Sequence, residues 1–229
     1  FGTGHVWTLR ARIFTQLTQN IVFIDIASGG GNIFGVDING DLWGYGQASH
    51  WNSGQYLTNF AKITENTKFI NVSCKGSMII CVDQIGQAWG CGLNRLLGLE
   101  PMKTPWEFNP ILEGIIIKDS VCGIDECYLL TEDGRLLRYG MKLYGQSQVT
   151  GVGIPEDISP GISVSQIDYG VTRLMLKDNE DNVWISGFYH TRIFPFEMIQ
   201  GMKADSLVNQ KNILERVRRF WTTKRSRNS

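Results

Sequence analysis

The stretch that decides the fold is "GDLWGYG", residues Gly40–Gly46, which returns in altered form as "GQAWGCG" at Gly86–Gly92. Glycine reaches backbone angles that other residues adopt only at a cost, and aromatic side chains suit a half-buried strand. A single cluster of this kind is typical of a tight hairpin. Its second appearance indicates an internal repeat.

The repeat has a nearly constant period. Spacings of 42, 46, 48 and 47 residues separate the five glycine clusters, which end near Gly4, Gly46, Gly92, Gly140 and Gly187. A fixed period between about 20 and 50 residues is the mark of a solenoid, a propeller or a similar array.

Each repeat unit has the sequence pattern of several short β-strands. An apolar run (Ile24, Ile26; Ile70, Val72; Ile117; Val164, Ile167) leads to a bend, and a second apolar run follows. A polar turn then precedes the glycine cluster; the four turns are Ile38-Asn39-Gly40, Gln84-Ile85-Gly86, Glu132-Asp133-Gly134 and Asn179-Glu180-Asp181. Such alternation around polar turns indicates β-hairpins.

The repeat predicts an all-β fold. Residues 20–200 show no sustained 3.6-residue apolar stripe, which excludes repeats made of helix pairs. Small sheets repeated at this period predict a β-propeller, here a partial or short ring of about four to five blades. The glycine-rich "SGGGN" at residues 28–32 is interpreted as the bend between two strands, because a phosphate loop needs a following helix and Lys-Ser/Thr.

The repeat resembles that of the regulator of chromosome condensation family. Four segments share one order of sequence elements: I-x-x-I-x-x-G, then an apolar run, then D-x-x-G-x-L/V-W-x-x-G. These segments are Phe23–Gly46, Phe69–Gly92, Ile116–Gly140 and Ile162–Gly187. The family's downstream G-Q-L-G turn is reduced to "LLGLE" at residues 96–100 and "YGQSQV" at 144–149. The resemblance covers most of residues 1–190 and implies an expectation of seven blades in a complete ring. Two alternatives follow: a piece of a longer propeller, which we favour, or an open arc closed by a partner.

The resemblance also implies two kinds of activity. One is guanine-nucleotide exchange on a small Ras-like GTPase, and the other is scaffolding through a propeller face, including docking onto nucleosomes. Exchange in the founding member depends on a wedge that projects from the propeller. The even spacing between Gly4 and Gly187 leaves no room for a long insertion. We therefore rank scaffolding above exchange.

The sequence offers no catalytic motif. The histidines His5, His50 and His190 are scattered, and the acidic residues of the hairpin turns are expected to cap local backbone. The cysteines form no C-x-x-C pair and are expected to be reduced core thiols (Cys74, Cys81, Cys91, Cys122, Cys127). We predict a protein that is not an enzyme, has no cofactor or metal site and no transmembrane segment, and works inside the cell, in the cytoplasm or nucleus.

The C-terminal part follows a different pattern. The propeller repeats are assigned to residues 1–203 and a basic amphipathic helix and tail to residues 204–229, with Asp205 or Ser206 as the N-cap. At 100° per residue one apolar sector collects Leu207, Ile213, Leu214, Val217, Phe220 and Trp221. Residues 211–229 carry a net charge of +6, so residues 1–210 carry −6.

Three interpretations of this tail remain open. Its apolar side packs on the propeller, or it docks into a partner's groove, or its basic run meets nucleic acid or an anionic membrane or serves as a nuclear address. The candidate partner-binding residues are Arg216, Arg218, Arg219, Phe220, Trp221, Lys224, Arg225 and Arg227. A protein partner, a small GTPase among the alternatives, is expected at the loops of a propeller face and at this tail.

Overall fold

The structure is a computed structural model that describes residues 7–10, 13–16, 20–47, 56–64, 66–76, 78–92, 97, 107–123, 126–140, 154–170, 173–189 and 192–203. Within these ranges the chain is all-β, as predicted, and forms four four-stranded antiparallel sheets and one two-stranded sheet. The predicted C-terminal helix lies outside the described residues.

The four large sheets are the predicted blades. Blade 1 contains β3 (Phe23–Gly29), β4 (Asn32–Asp37), β5 (Leu42–Gln47) and β6 (Tyr56–Lys62), and blade 2 contains β7 (Phe69–Lys75), β8 (Met78–Asp83), β9 (Ala88–Gly92) and β10 (Asn109–Ile111). Blade 3 contains β11 (Ile117–Cys122), β12 (Glu126–Thr131), β13 (Leu136–Gly140) and β14 (Glu156–Asp157), and blade 4 contains β15 (Val164–Tyr169), β16 (Arg173–Asp178), β17 (Asn182–Tyr189) and β18 (Arg192–Lys203). The remaining pair is β1 (Trp7–Arg10) and β2 (Ile13–Gln16).

Each blade is a meander in which consecutive strands pair. The first strands, β3, β7, β11 and β15, line a common cavity of about 770 Å³ and are therefore the inner strands of their blades. Each inner strand has a β-bulge one residue after its start, at Ile24, Ile70, Lys118 and Ser165. The four bulges are equivalent, so the repeat extends to the irregularities of the backbone.

The core lies between neighbouring blades. Along β8, Ile79 and Cys81 pack into the cluster shared with blade 1, whereas Ile80 and Val82 pack into the cluster shared with blade 3. All six residues of β8 are therefore buried. A strand covered on both faces reads as a continuous apolar run. Each fully buried aliphatic side chain contributes about 1.5–3 kcal/mol to folding.

Three of the aromatic residues of the glycine clusters fill the space between blades. Trp89 packs on the cluster between blades 1 and 2, Tyr139 belongs to that between blades 2 and 3, and Trp184 packs on that between blades 3 and 4. The strand pairing, however, makes Leu137 the equivalent of the tryptophans in blade 3. Tyr139 lies two residues further along the same strand.

An aspartate at the end of the second strand organises the turn of three blades. In blade 1, Oδ1 of Asp37 accepts hydrogen bonds from the N–H groups of Asn39 and Asp41, and Oδ2 accepts one of 3.0 Å from Nε1 of Trp43. Asp83 with Trp89 and Asp178 with Trp184 repeat the arrangement. The acidic turns therefore cap local backbone, as predicted, and a carboxylate satisfies both the turn and the indole.

In blade 3 both members of this pair are replaced. Thr131 stands in the place of the aspartate and Leu137 in the place of the tryptophan. Oγ1 of Thr131 still accepts a 2.8 Å hydrogen bond from the N–H of Arg135, which keeps the turn closed. Because the leucine side chain has no N–H donor, unlike the indole of tryptophan, the second carboxylate oxygen is not needed here.

Two groups of glycines have the structural roles that were predicted for them. Gly46 has φ 112°, and a Cβ atom there would lie 2.3 Å from the carbonyl oxygen of Gly31. Only glycine permits this backbone angle together with so close an approach. The "SGGGN" segment contains the β3–β4 turn, with Gly30 and Gly31 at φ 58° and 80°.

All five cysteines are buried and free, which confirms the prediction of core thiols. Burial raises the pKa of the thiols of Cys74, Cys91 and Cys122 to about 12. Within the described ranges no helix is long and apolar enough to cross a membrane. The same ranges contain no cluster of three or more His, Cys, Asp or Glu side chains that could bind a metal ion.

Candidate protein-interaction face

One end of the four blades is built from the hairpin turns that follow the second strand of each blade. In blade 1 the N–H of Ile38 donates a 3.0 Å hydrogen bond to the carbonyl of Val22, which places the turn beside the start of the inner strand. Equivalent bonds join Gln84 to Lys68, Glu132 to Ile116 and Asn179 to Ser163. We call this end the turn face.

The turns also tie neighbouring blades together. The carbonyl of Gly40 accepts a 2.8 Å hydrogen bond from the N–H of Phe69, and the carbonyl of Gly86 accepts one of the same length from Ile117. A Cβ atom on Gly86 would lie 2.5 Å from Cγ2 of Ile116, so the turn of blade 2 rests directly on blade 3. The turn face is therefore a continuous surface across blades 1 to 3.

Exposed aliphatic side chains are concentrated on this surface. Six of the ten exposed large apolar side chains among the described residues lie at the turns or at the starts of the inner strands. We call this set the isoleucine patch: Val22, Ile24, Ile38, Ile70, Ile85 and Ile116. Exposed fractions reach 64% at Ile38 and 81% at Ile85. Single exposed apolar residues are normal, but a group on one face marks an interaction surface.

The bulges explain why two of these side chains are exposed. The register shifts between Phe23 and Asp25 and between Phe69 and Asn71, so Ile24 and Ile70 have no partner in the ladder. The residues before them, Phe23 and Phe69, are buried. The extra residue therefore lies outside the inter-blade core.

The character of the turn face changes from blade 3 onward. The bulge residue is Lys118 in blade 3 and Ser165 in blade 4. Nζ of Lys118 lies 3.4 Å from the carbonyl oxygen of Val164. The turns of these blades carry four acidic residues: Glu132, Asp133, Glu180 and Asp181. Two of them form ion pairs, Asp133 with Arg135 and Asp181 with Lys177. The turn face thus has an apolar side on blades 1 to 3 and a carboxylate-bearing side on blades 3 and 4.

A chain of polar side chains runs along the cavity between the inner strands. Nδ2 of Asn71 lies 3.2 Å from Oδ2 of Asp25 and 3.4 Å from Oδ1 of Asp119, so one amide bridges two carboxylates of different blades. The N–H of Val72 donates a 2.8 Å hydrogen bond to Asp25, and that of Ile167 donates to Asp119. These contacts join successive blades near the axis of the ring.

Burial dominates the electrostatics of these two carboxyl groups. Loss of water raises the pKa of Asp119 to about 6, against the lowering effect of the N–H groups of Ser120 and Ile167. Burial likewise raises the pKa of Asp25, and the N–H groups of Val72 and Ile26 oppose it. By contrast, hydrogen bonding to Lys68 lowers the pKa of Asp41 on the turn face.

The candidate residues predicted from the sequence fall in parts of the chain that the structure does not describe. Arg216, Arg218, Arg219, Phe220, Trp221, Lys224, Arg225 and Arg227 are outside the described residues, as are His5, His50 and His190. The isoleucine patch was not predicted. The signal was an isoleucine in the turn sequence itself, at Ile38 and Ile85, where a polar residue is the rule.

Comparison with solved structures identifies the propeller type. The chain superimposes on human WBSCR16 with a TM-score of 0.65 and 16% identity, over 77% of this chain and 50% of that one. It superimposes on yeast RCC1 (Prp20) bound to Kap60 with a TM-score of 0.65 and 13% identity, over 83% and 54% of the two chains.

A second structure of Prp20p, from Saccharomyces cerevisiae, described together with its binding to Gsp1p and histones, gives a TM-score of 0.67 and 11% identity over 88% and 62%. The chain thus spans about half of the length of these proteins. No family model and no curated protein matches the sequence.

Proposed function

We propose that this chain, which has the β-propeller fold of the regulator of chromosome condensation type, is a non-enzymatic interaction module that binds a protein partner through its turn face. The observation that carries the proposal is the isoleucine patch, which spans three blades and leaves six aliphatic side chains in water. Covering such a surface stabilises a complex by removing apolar area from water. A rigid array of blades that presents this surface is suited to a scaffold inside a larger assembly.

The basic C-terminal segment supplies the second contact in this proposal. Its arginines and lysines, with Phe220 and Trp221, have the composition of interface anchors, since aromatic residues and arginine dominate binding energy. We place the assembly inside the cell, in the cytoplasm or nucleus, in keeping with the five free thiols.

The test uses substitutions at exposed positions. The double variant Ile38→Asp/Ile85→Asp changes side chains that are 64% and 81% exposed, so its stability should stay within about 0.5 kcal/mol of the parent per site. The control is Ile154→Asp, a residue 71% exposed that precedes the outer strand β14 of blade 3. A stoichiometric complex isolated from native extract should be lost in the double variant and kept in the control. A complex retained by both variants would refute the proposal.

Guanine-nucleotide exchange is the second candidate, and the structural likeness to Prp20p, described with its binding to Gsp1p, is what favours it. The assay is release of labelled guanine nucleotide from small GTPases at a large molar excess of this protein. Unchanged release with every GTPase tested would exclude exchange and leave the interaction proposal intact.

The third candidate is a chromatin or nucleic-acid contact through the tail, favoured by the histone binding described for Prp20p. Phosphate contacts release counterions, so the affinity should fall steeply with salt and disappear when residues 211–229 are deleted. Binding that is indifferent to salt or to the deletion would exclude this candidate.

A further inference from the structure

The position of the last described strand relates the C-terminal segment to the turn face. Lys203, the last residue of β18, pairs with Asn182, the first residue of β17. Asn182 directly follows the blade 4 turn, whose Asp178 accepts a 2.8 Å hydrogen bond from the Asn182 N–H. The chain therefore enters residues 204–229 at the turn face, on its carboxylate-bearing side.

The composition of that segment complements the surface at which it starts. Residues 211–229 carry a net charge of +6, and the adjacent turns carry the exposed carboxylates of Glu132 and Glu180. Beyond these turns lies the isoleucine patch, which matches the apolar sector of the segment. The basic residues of the segment thus complement the carboxylates of the turn face, and its apolar residues complement the isoleucine patch.

The length of the segment is sufficient. Residues 204–221 would span about 27 Å as a helix at 1.5 Å per residue, and more when extended. Lys203 ends the outer strand of blade 4, so three strand spacings of about 4.8 Å add to two sheet spacings of about 10 Å, about 35 Å in all. A fully helical segment would fall short of this distance, whereas the same residues span up to about 60 Å when extended. Phe220 and Trp221 therefore reach the patch from Lys203 when part of the segment is extended.

We propose that in the free protein the C-terminal segment folds back across the turn face and packs Phe220 and Trp221 on the isoleucine patch. The inference rests on the proposed function in one respect only: a partner that binds this face must displace the segment, which then becomes available as its second contact. Packing within one chain needs no partner, so it is tested with the protein alone.

The experiment places one nitroxide label on the full chain at Thr222→Cys. The native thiols are buried, with their pKa raised by burial, so the reagent should modify only the new cysteine. Relaxation enhancement is read on isoleucine methyl groups and backbone amides. The methyl signals of Ile70, Ile85 and Ile116 should broaden, whereas those of Ile154 and of the amides of Gly30 and Gly76, at the opposite end of the blades, should not.

A paired substitution in the segment separates specific packing from mere proximity. Phe220→Ser/Trp221→Ser should abolish the broadening, and the control Asn209→Ser in the same segment should leave it unchanged. Absent or uniform broadening in the parent chain would overturn the proposal. Broadening that appears only when a labelled chain is mixed with a separate isotope-enriched chain would also overturn it, because the contact would then join two copies. Neither result bears on whether a partner binds.

Discussion

Nε1 of Trp184 donates a 2.8 Å hydrogen bond to Oδ2 of Asp178, six residues earlier, and two other blades contain the same bond. The tryptophan packs between blades while the aspartate holds the hairpin turn. One carboxylate therefore couples the closing of a turn to the packing of a blade against its neighbour.

Blade 3 suggests that the two residues should be exchanged together. In blade 2, Asp83→Thr alone leaves the indole N–H of Trp89 without its acceptor, and Trp89→Leu alone leaves a carboxylate oxygen without its donor. The double variant reproduces the Thr131 and Leu137 pair of blade 3. We expect it to be more stable than the sum of the single changes by about 1 kcal/mol or more. Urea unfolding of all four proteins measures this coupling, and additive free energies would contradict it.

The stability of the protein should depend on pH through Asp119. Its pKa is about 6 in the folded protein, against 3.8 for the unperturbed group, so the folded state binds more protons between these values. Stability then falls as pH rises through this window, by up to about 3 kcal/mol for this group at 1.36 kcal/mol per pKa unit.

Asp119→Asn tests this directly, because asparagine keeps an acceptor for the N–H groups of Ser120 and Ile167 but does not ionise. Above pH 6 the variant should gain stability relative to the parent, and near pH 4 the difference should vanish or reverse. Asp25, whose pKa burial also raises, loses the neighbouring charge of Asp119 in the variant, so its pKa should fall there and its share of the pH dependence should shrink in the same direction. Urea unfolding at pH 4.5 and 7.5 measures the effect. Equal differences at the two pH values would contradict the assignment.

The glycine at the end of a cluster is required for packing as well as for its backbone angle. Gly46→Ala should destabilise the fold by more than about 2 kcal/mol, because the new Cβ meets the carbonyl of Gly31 at 2.3 Å in addition to the strain at positive φ. Gly31→Ala is the matched control, since it also has positive φ but has no atom within 4 Å of the added Cβ. Its cost should be about 1 kcal/mol, from backbone strain alone. Equal thermal shifts in the two variants would show that the contact is unimportant.

The cysteines should be chemically silent in the folded protein. All five are buried, and burial raises the pKa of Cys74, Cys91 and Cys122 to about 12, which leaves almost no thiolate at neutral pH. A thiol reagent such as dithionitrobenzoate should therefore react with none of the five thiols in the native protein and with all five in denaturant. Fast reaction of any thiol under native conditions would show that an inter-blade cluster opens readily.

The aspartate and tryptophan pairs show that a usable signal in the sequence can be overlooked. Asp37 with Trp43, Asp83 with Trp89 and Asp178 with Trp184 share one spacing, and their joint replacement in blade 3 is also visible in the letters. Taken separately, the turn predicts only a local role for the aspartate, and the strand predicts only a local role for the tryptophan. The two residues of each pair are only six positions apart in the chain, so the pairs are visible when the repeats are aligned.

The amino-acid sequence by itself determined the elements that depend on short-range chemistry. Period-two apolar runs, polar turns and glycine clusters, repeated at one spacing, predicted the short antiparallel strands of each unit and the propeller, because strand pairing and turn geometry act between near neighbours in the chain.

Only the tertiary structure decided which apolar side chains are covered. Ile70 belongs to the same alternating run as Val72, but Ile70 is exposed and Val72 is buried. A bulge of one residue moves a side chain out of the core without altering the apolar pattern, and burial requires a neighbouring blade some 46 to 49 residues away, as in the contacts of Asn71 with Asp25 and of Ser73 with Cys122. The exposed apolar side of the turn face therefore arises from the packing of blades, which no local pattern encodes.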